Sequence, residues 1–305
     1  MNMSIIVAGS VFVDIKGHPE GVYIPDGRNA GRVEQVHGGV ARNIAEDIAR
    51  AGGDVVFLGL VDDSAAGREV VEHLEAVGVD AGRVRAVKDG MGIWLAVFDD
   101  RGDVAASISK RPDLRPLLDL LREEGDEIFA GADSVLFELD LEEENVAAIC
   151  ALAEKHAVPA CAAVSNMSIA AQRSGYLPKL RCFVCNDQEW GMLAPGPWGD
   201  MEPEAIAEAL SAPMEHLGLQ ALVVTLGKRG AVWAEGGKHG FCPPEDVPVV
   251  DVAGAGDSFF AGVGYGLSLG KSLEEACRIG SRMAGKVITT TQSVCPPMTA
   301  EELGL

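Results

Sequence analysis

No run of about 18 uncharged apolar residues occurs anywhere in the 305-residue chain, so the sequence offers no membrane-spanning helix. Positive charge is scarce as well. Lys and Arg number 25 against 46 Asp and Glu, a formal net charge of -21, and no Lys/Arg cluster makes a local exception. Nucleic acid and anionic membranes are therefore excluded as partners, and a phosphate-bearing ligand must be held locally, by backbone amides and a divalent metal. Cysteine is sparse and odd in number: Cys150, Cys161, Cys182, Cys185, Cys242, Cys277 and Cys295 make no disulfide framework. Only Cys182-Phe-Val-Cys185 has metal-like spacing, but a strand would point the pair to opposite faces and no second pair stands nearby, so both read as core. The first ten residues lack a basic segment ahead of their short apolar run, and a cytoplasmic chain is expected.

Hydrophobic residues make up 48% of the chain, enough for one large α/β domain with room for a small appendage. Ser4 to Gly9, Asp54 to Leu60, Ser134 to Leu139, Val158 to Ala163, Cys182 to Cys185 and Ala221 to Leu226 are short apolar runs bounded by Gly, Asp or Asn. Strands buried on both faces read this way. Between them Val40, Ile44 and Ile48 recur every four residues, Ser64 to Val77 opens on a capping serine, and Leu141 to His156 and Met201 to His216 carry a similar period. The alternation predicts an α/β fold: a doubly wound, mostly parallel sheet flanked by helices. Two stretches break it. Val11 to Val36 mixes β-prone residues with Gly and Pro, and Gly92 to Ser109 alternates around the turn signal Asp99-Asp-Arg-Gly-Asp103. They predict a small β-sheet lid, 11–36 and 91–110, over the carboxyl ends of the main strands; a plain surface hairpin is the alternative. Residues 1–10, 37–90 and 111–305 remain as the core that binds nucleotide and substrate.

The most informative string is Asp251-Val-Ala-Gly-Ala-Gly-Asp257, followed by Ser258-Phe-Phe-Ala-Gly-Val-Gly-Tyr, the opening of a buried helix. Ala253, Gly254, Ala255 and Gly256 are small enough for backbone N–H groups to converge at a helix N-terminus, where the macrodipole favours negative charge. Asp257 stands at the edge of that nest, placed to take the proton of a hydroxyl attacking a phosphoryl group. The spacing points to phosphoryl transfer. A dinucleotide fingerprint would instead follow the first strand, with an acidic residue about twenty positions on.

Four further motifs each have two readings. Gly38-Gly39 before an amphipathic helix permits close approach to a ligand or makes a turn. Asn43, one turn into that helix, can hydrogen-bond a polyol, and Asp14, past the first strand, can accept from the same ligand or simply end a strand. Asn186-Asp-Gln-Glu189 either orients water around Mg²⁺ or forms a capping box with Glu189 reaching back to Asn186. Thr225-Leu-Gly-Lys-Arg-Gly230, before a returning strand at Ala231 to Ala234, is a phosphate- or ribose-contacting loop or a hairpin turn.

In order and identity these motifs resemble one family over nearly the whole chain, the ribokinase-like (PfkB) carbohydrate and nucleoside kinases. The resemblance implies ATP and Mg²⁺ as cofactors, an anion hole at Gly254, Ala255 and Gly256, and Asp257 as the base. It implies Asp14, Gly38, Gly39, Asn43 and Asp257 as acceptor contacts, and Asn186, Thr225, Gly227, Gly230, Ala253, Gly254 and Gly256 at the nucleotide. Asn186 and Glu189 would hold Mg²⁺ through water, Asp251 a monovalent cation such as K⁺, and a helical tail from about Ala284 to Ser293 the adenine and cation region. Val252 departs from the family, most members having Thr there, which leaves a K⁺ requirement open. Gly38-Gly-Val-Ala-Arg-Asn-Ile-Ala-Glu46 is most similar to pseudouridine kinases, implying transfer of the ATP γ-phosphate to the 5′-hydroxyl of pseudouridine. The alternatives are a kinase of another nucleoside or sugar (ribose, fructose, 2-keto-3-deoxygluconate) and a non-catalytic ligand-binding protein on the same fold. Trp94 or Ile93 would pack on the base, or serve only hairpin packing, and exposed lid edges predict a homodimer through the lid. In a loose transition state Asp257 needs no raised pKa, because the hydroxyl acidifies late.

Overall fold

The computed structural model describes residues 4–305; residues 1–3, and with them the start of the N-terminal run and of the core segment expected at 1–10, lie outside it. In chain order the strands are β1 (Ser4–Gly9), β2 (Phe12–Pro19), β3 (Gly31–Gly38), β4 (Asp54–Val61), β5 (Arg85–Ala86), β6 (Gly92–Phe98), β7 (Val104–Lys110), β8 (Ser134–Glu138), β9 (Ala160–Ala163), β10 (Cys182–Asn186), β11 (Ala221–Thr225), β12 (Ala231–Glu235) and β13 (Lys238–Cys242). The helices are α1 (Val40–Arg50), α2 (Ala65–Ala76), α3 (Leu117–Phe129), α4 (Glu143–His156), α5 (Met167–Ala170), α6 (Asp187–Leu193), α7 (Pro203–Ala209), α8 (Ser211–Leu217), α9 (Ala255–Ser268), α10 (Leu273–Val287) and α11 (Ala300–Leu303).

Nine strands form the main sheet in the order β13-β12-β11-β10-β9-β8-β1-β4-β5, parallel throughout except for the antiparallel pairs that β12 makes with β11 and β13. Parallel neighbours need crossovers, and the helices supply them on both faces. Ile5 and Val7 enter the core shared with α1, α9 and α10, whereas Ile6 and Ala8 enter the one shared with α3, α4 and α7. Both faces are thus buried, which is why these strands read as continuous apolar runs. Cys182 joins the first core and Cys185 the second, and all seven cysteines are buried and free. No helix of the described residues is long and apolar enough to cross a membrane.

The second sheet has the order β3-β2-β6-β7, with β2 parallel to β6 and the outer pairs antiparallel. On one face Phe12, Asp14, Lys16, Trp94 and Ser109 share a cavity with Glu138 and Asp140 at the carboxyl end of β8. The other face carries exposed Val33, Leu95 and Ile108. Strand β3 runs to Gly38, so only Gly39 separates the lid from α1.

Two expected elements differ. Met201 to His216 is not one helix but α7 and α8, because Pro213 has no N–H to give the Ala209 carbonyl. The tail helix stops at Val287, short of Ser293. There the Thr289 and Thr290 hydroxyls donate to the carbonyls of Lys286 (2.8 Å) and Val287 (3.0 Å), satisfying groups that a further turn would have used.

Candidate active site

The loop from Ala253 to Asp257 lies between two cavities. Ala253, Gly254 and Asp257 line the first, of about 470 Å³, under the lid; Ala255 and Gly256 line the second, of about 450 Å³, beside α10. Gly254 makes this turn possible: its φ of 78° is left-handed, and an added Cβ would overlap the Ser293 carbonyl. At Gly256 the opposite holds, since an added Cβ would meet nothing within 4 Å. Not every amide expected in the nest is free. Asp251 accepts the Ala253 N–H at 3.0 Å and the Val252 carbonyl accepts the Ala255 N–H at 3.2 Å. The first helical bond runs from the Ser258 N–H to Gly254 at 2.9 Å. The N–H groups of Gly254, Gly256 and Asp257 have no acceptor among the described residues, as the start of a helix requires.

In the first cavity Asn43 donates its amide to Asp257 Oδ2 at 2.6 Å. Its own Oδ1 is buried with no partner, an orphan acceptor that a ligand hydroxyl would satisfy. Asp14 belongs to lid strand β2, and its carboxylate oxygens stand 2.7 Å from where a Cβ at Gly38 would be; only glycine lets the lid carboxylate approach so closely. Burial pushes the Asp257 carboxyl up to about 6, opposed by the Asn43 hydrogen bond and the Arg42 charge and assisted by Asp14. The ordinary pKa allowed for by a late proton transfer is therefore not what the site has: Asp257 is a stronger base than usual, yet largely ionised at neutral pH. Asp14 is also raised by burial, with Lys16 and Arg42 pulling it down. Of the two lid candidates, Trp94 lines the cavity, while the alternation of β6 turns Ile93 to the other face.

Several cavity residues escaped the motif search. Glu138 accepts the Ser10 N–H at 2.7 Å, the Ser10 hydroxyl at 2.8 Å and the Ala41 N–H at 3.3 Å, serving as a remote cap for α1, whose N-cap Gly39 has no side chain. Burial pushes it up to about 7. Asp140 accepts the N–H and hydroxyl of Ser165 at 2.8 and 2.7 Å, with Arg111 at 3.8 Å. The available signal was Phe137-Glu138-Leu139-Asp140, two carboxylates at the carboxyl end of a buried strand, where α/β folds bind ligands.

Thr225, Gly227 and Gly230 line the second cavity together with Val249, Val252 and Ile288. Asn186, Glu189 and Asp251 line neither cavity. Asn186 and Glu189 form the capping box, its two N–H···O bonds both 2.8 Å, so one lone pair of the Asn186 side-chain oxygen is already used by the backbone. Only one Glu189 oxygen is used there. Among the described residues no group of three or more His, Cys, Asp or Glu could hold a metal ion. The donor set thus fits Mg²⁺ only in the mode this ion favours, with most of its waters kept and a carboxylate nearby.

A doubly wound sheet, a β lid over its carboxyl edge and two cavities meeting at a glycine loop make the architecture of a small-molecule kinase with an alcohol acceptor. The chain belongs to the pfkB family of carbohydrate kinases, whose model matches residues 2–299. It is 32% identical over 304 residues to guanosine-inosine kinase of Exiguobacterium acetylicum, covering 98% of this chain and 99% of that protein. Ribokinase of Bacillus subtilis is 28% identical over 253 residues, 82% of this chain and 80% of the other. Among solved structures, Arabidopsis thaliana ribokinase complexed with ribose and ATP superposes with a TM-score of 0.83 at 22% identity, covering 100% of both chains, a likeness of fold.

Proposed function

We propose that the protein is an ATP-dependent nucleoside kinase acting on the 5′-hydroxyl, with a purine nucleoside of the guanosine–inosine type as its foremost acceptor. One observation carries this reading. The lid cavity is lined by Asp257, Asn43 and Asp14, groups suited to ribose hydroxyls, and in addition by Phe12, Trp94 and Leu141 and by Asp140, Ser165 and Asn166. A bare sugar has no use for the second, aromatic and polar set, whereas an aromatic base with polar edges does. The full-length likeness to guanosine-inosine kinase supports a purine. Pseudouridine is the second reading, favoured by the string Gly38 to Glu46; it presents the same ribose and differs at the base.

In this reading Asp14 and Asn43 hold the ribose, the Asn43 orphan oxygen accepting a hydrogen bond from a hydroxyl while its amide N–H donates to Asp257. Asp257 accepts the 5′-hydroxyl proton as the oxygen attacks, and the N–H groups of Gly254, Gly256 and Asp257 stabilise the oxygens of the moving phosphoryl group. Thr225, Gly227 and Gly230 bind ATP on the far side of the loop. Glu189 would hold Mg²⁺ through water, and the ion would supply charge neutralisation on the phosphates. Asp251 keeps one carboxylate oxygen for a monovalent cation, testable by a K⁺ titration of turnover. The apolar lid face of Val33, Leu95 and Ile108 supports a homodimer, and sedimentation velocity would reveal it.

The test is a panel of guanosine, inosine, pseudouridine, uridine, ribose and fructose, each with Mg-ATP, scored for ADP and phosphorylated product. Guanosine or inosine is expected to lead. Turnover confined to ribose or fructose would remove the nucleoside reading, and acceptor binding with no ADP would point to the non-catalytic alternative.

A further inference from the structure

Helix α1 is polar where a core helix is ordinarily apolar: Arg42, Asn43, Glu46 and Asp47 are each 5% exposed or less. Burying charges is costly even when they are paired, so this arrangement is poorly explained by stability alone. Beyond α1 itself, their partners lie on four separate pieces of chain. Arg42 donates to the carbonyls of His37 and Gly38 at the end of lid strand β3 and pairs with Glu46 at 2.6 Å. Glu46 also holds Arg50 at 2.5 Å and His73 at 2.8 Å. Asp47, one turn beyond Asn43, accepts the Ser258 hydroxyl at 2.6 Å and the Cys295 N–H at 2.5 Å, while Arg50 donates to the Cys295 carbonyl at 3.2 Å.

We infer that Asp47 is a positioning residue for phosphoryl transfer, fixing the first turn of α9 through Ser258 and tying it through Cys295 to the chain that closes over Gly254. This rests on the reading of Asp257 as the base. Asn43 and Asp47 are spaced i, i+4 and so project from one face of α1; the first grips Asp257 and the second grips its neighbour. The base is held at two points by one helix. Hydrogen bonds rather than charge do this, since burial pushes Asp47 up to about 7 and an amide in its place can still accept from Cys295 and donate to Ser258. Glycine-lined loops leave a catalytic carboxylate loosely fixed from its own side, and a displacement of about 1 Å can cost about 100-fold in rate.

The full-length variants Asp47→Ala, Asp47→Asn and Ser258→Ala test this, assayed with Mg-ATP and the acceptor turned over fastest in the panel. Asp47→Ala is expected to lower kcat about 10- to 100-fold while the acceptor KM moves less than about threefold, and Asp47→Asn to return kcat to within about threefold of the parent. Ser258→Ala should fall between them. A folded Asp47→Ala with parental kcat, a loss confined to KM, or an Asp47→Asn as impaired as the alanine would each overturn the inference. Should Asp47→Ala fail to fold, judged by circular dichroism, Ser258→Ala decides alone, and parental kcat in it is the contrary result. Asp257→Asn in parallel separates the two claims: if it is active the base assignment falls, and if it is inactive beside an unimpaired Asp47→Ala only the positioning role falls.

Discussion

The two cavities that meet at the Ala253 to Asp257 loop are built from different materials. The one beside α10 is lined by glycines and other small residues, by Phe259, Ile288 and exposed Val249 and Val252, and at its rim by the exposed charges of Lys228, Glu245 and Asp246. The lid cavity is lined by polar and charged side chains, of which Asn43, Glu138 and Asp140 are buried and Asp14 and Asp257 half-buried, drawn from the lid, α1, β8 and α9. A largely apolar wall built on glycine turns suits a ligand common to a whole family, whereas a wall of polar side chains suits an acceptor that differs from member to member. A single loop serves both because Ala253, Gly254 and Asp257 face one cavity and Val252, Ala255 and Gly256 the other.

Removing the base breaks this division most severely. Asp257→Asn should retain ATP binding and lose about 10²- to 10⁴-fold in kcat, the usual worth of a positioned base. Gly254→Ala, which forces a side chain into a left-handed turn against Ser293, should lower the melting temperature and cut kcat about 100-fold by shifting both cavity walls at once. Asn43→Ala is expected to raise the acceptor KM about tenfold. It should also move the acid limb of the kcat–pH profile above its parental position near pH 6, because the lost hydrogen bond was holding the Asp257 pKa down. Trp94→Ala should raise the nucleoside KM about fivefold and leave the ATP KM alone, sharpening the claim that the cavities recognise their ligands independently.

The smallest effect concerns stability. Glu138 is raised to about 7 from an ordinary value of 4.5, so the native state binds the extra proton between those limits and stability falls as pH rises through that window. Glu138→Gln should flatten the fall in melting temperature measured from pH 5 to pH 8.

The same contrast governs how much could be read from residues in a row. The second cavity was legible because its parts are contiguous strings: Thr225 to Gly230 and the glycines before α9 announce turns wherever they occur. Asp14, Asn43 and Asp257 were found because each neighbours a glycine pair or a strand end. Lys16, Arg111, Asp140 and Ser165 were not, since they converge from elements whose juxtaposition only the fold creates. Asp47 hides in the helical period, where a buried carboxylate and an exposed one look alike. At Asn186 and Glu189 a cap and a metal site call for the same residue types at the same spacing, and the capping box is the one that forms within the chain. Helix α3 has no counterpart among the segments read from the sequence; Pro116 stands at its N-cap, where a fixed φ and a missing N–H cost nothing.

The central claim, that this loop passes a phosphoryl group to a nucleoside 5′-oxygen, is tested most directly by comparing guanosine with 5′-deoxyguanosine under Mg-ATP and identifying the products. The account predicts ADP and guanosine 5′-monophosphate in equal amounts from the first and neither from the second. Equal ADP release with both, or a phosphate found on the 2′- or 3′-oxygen, would contradict it.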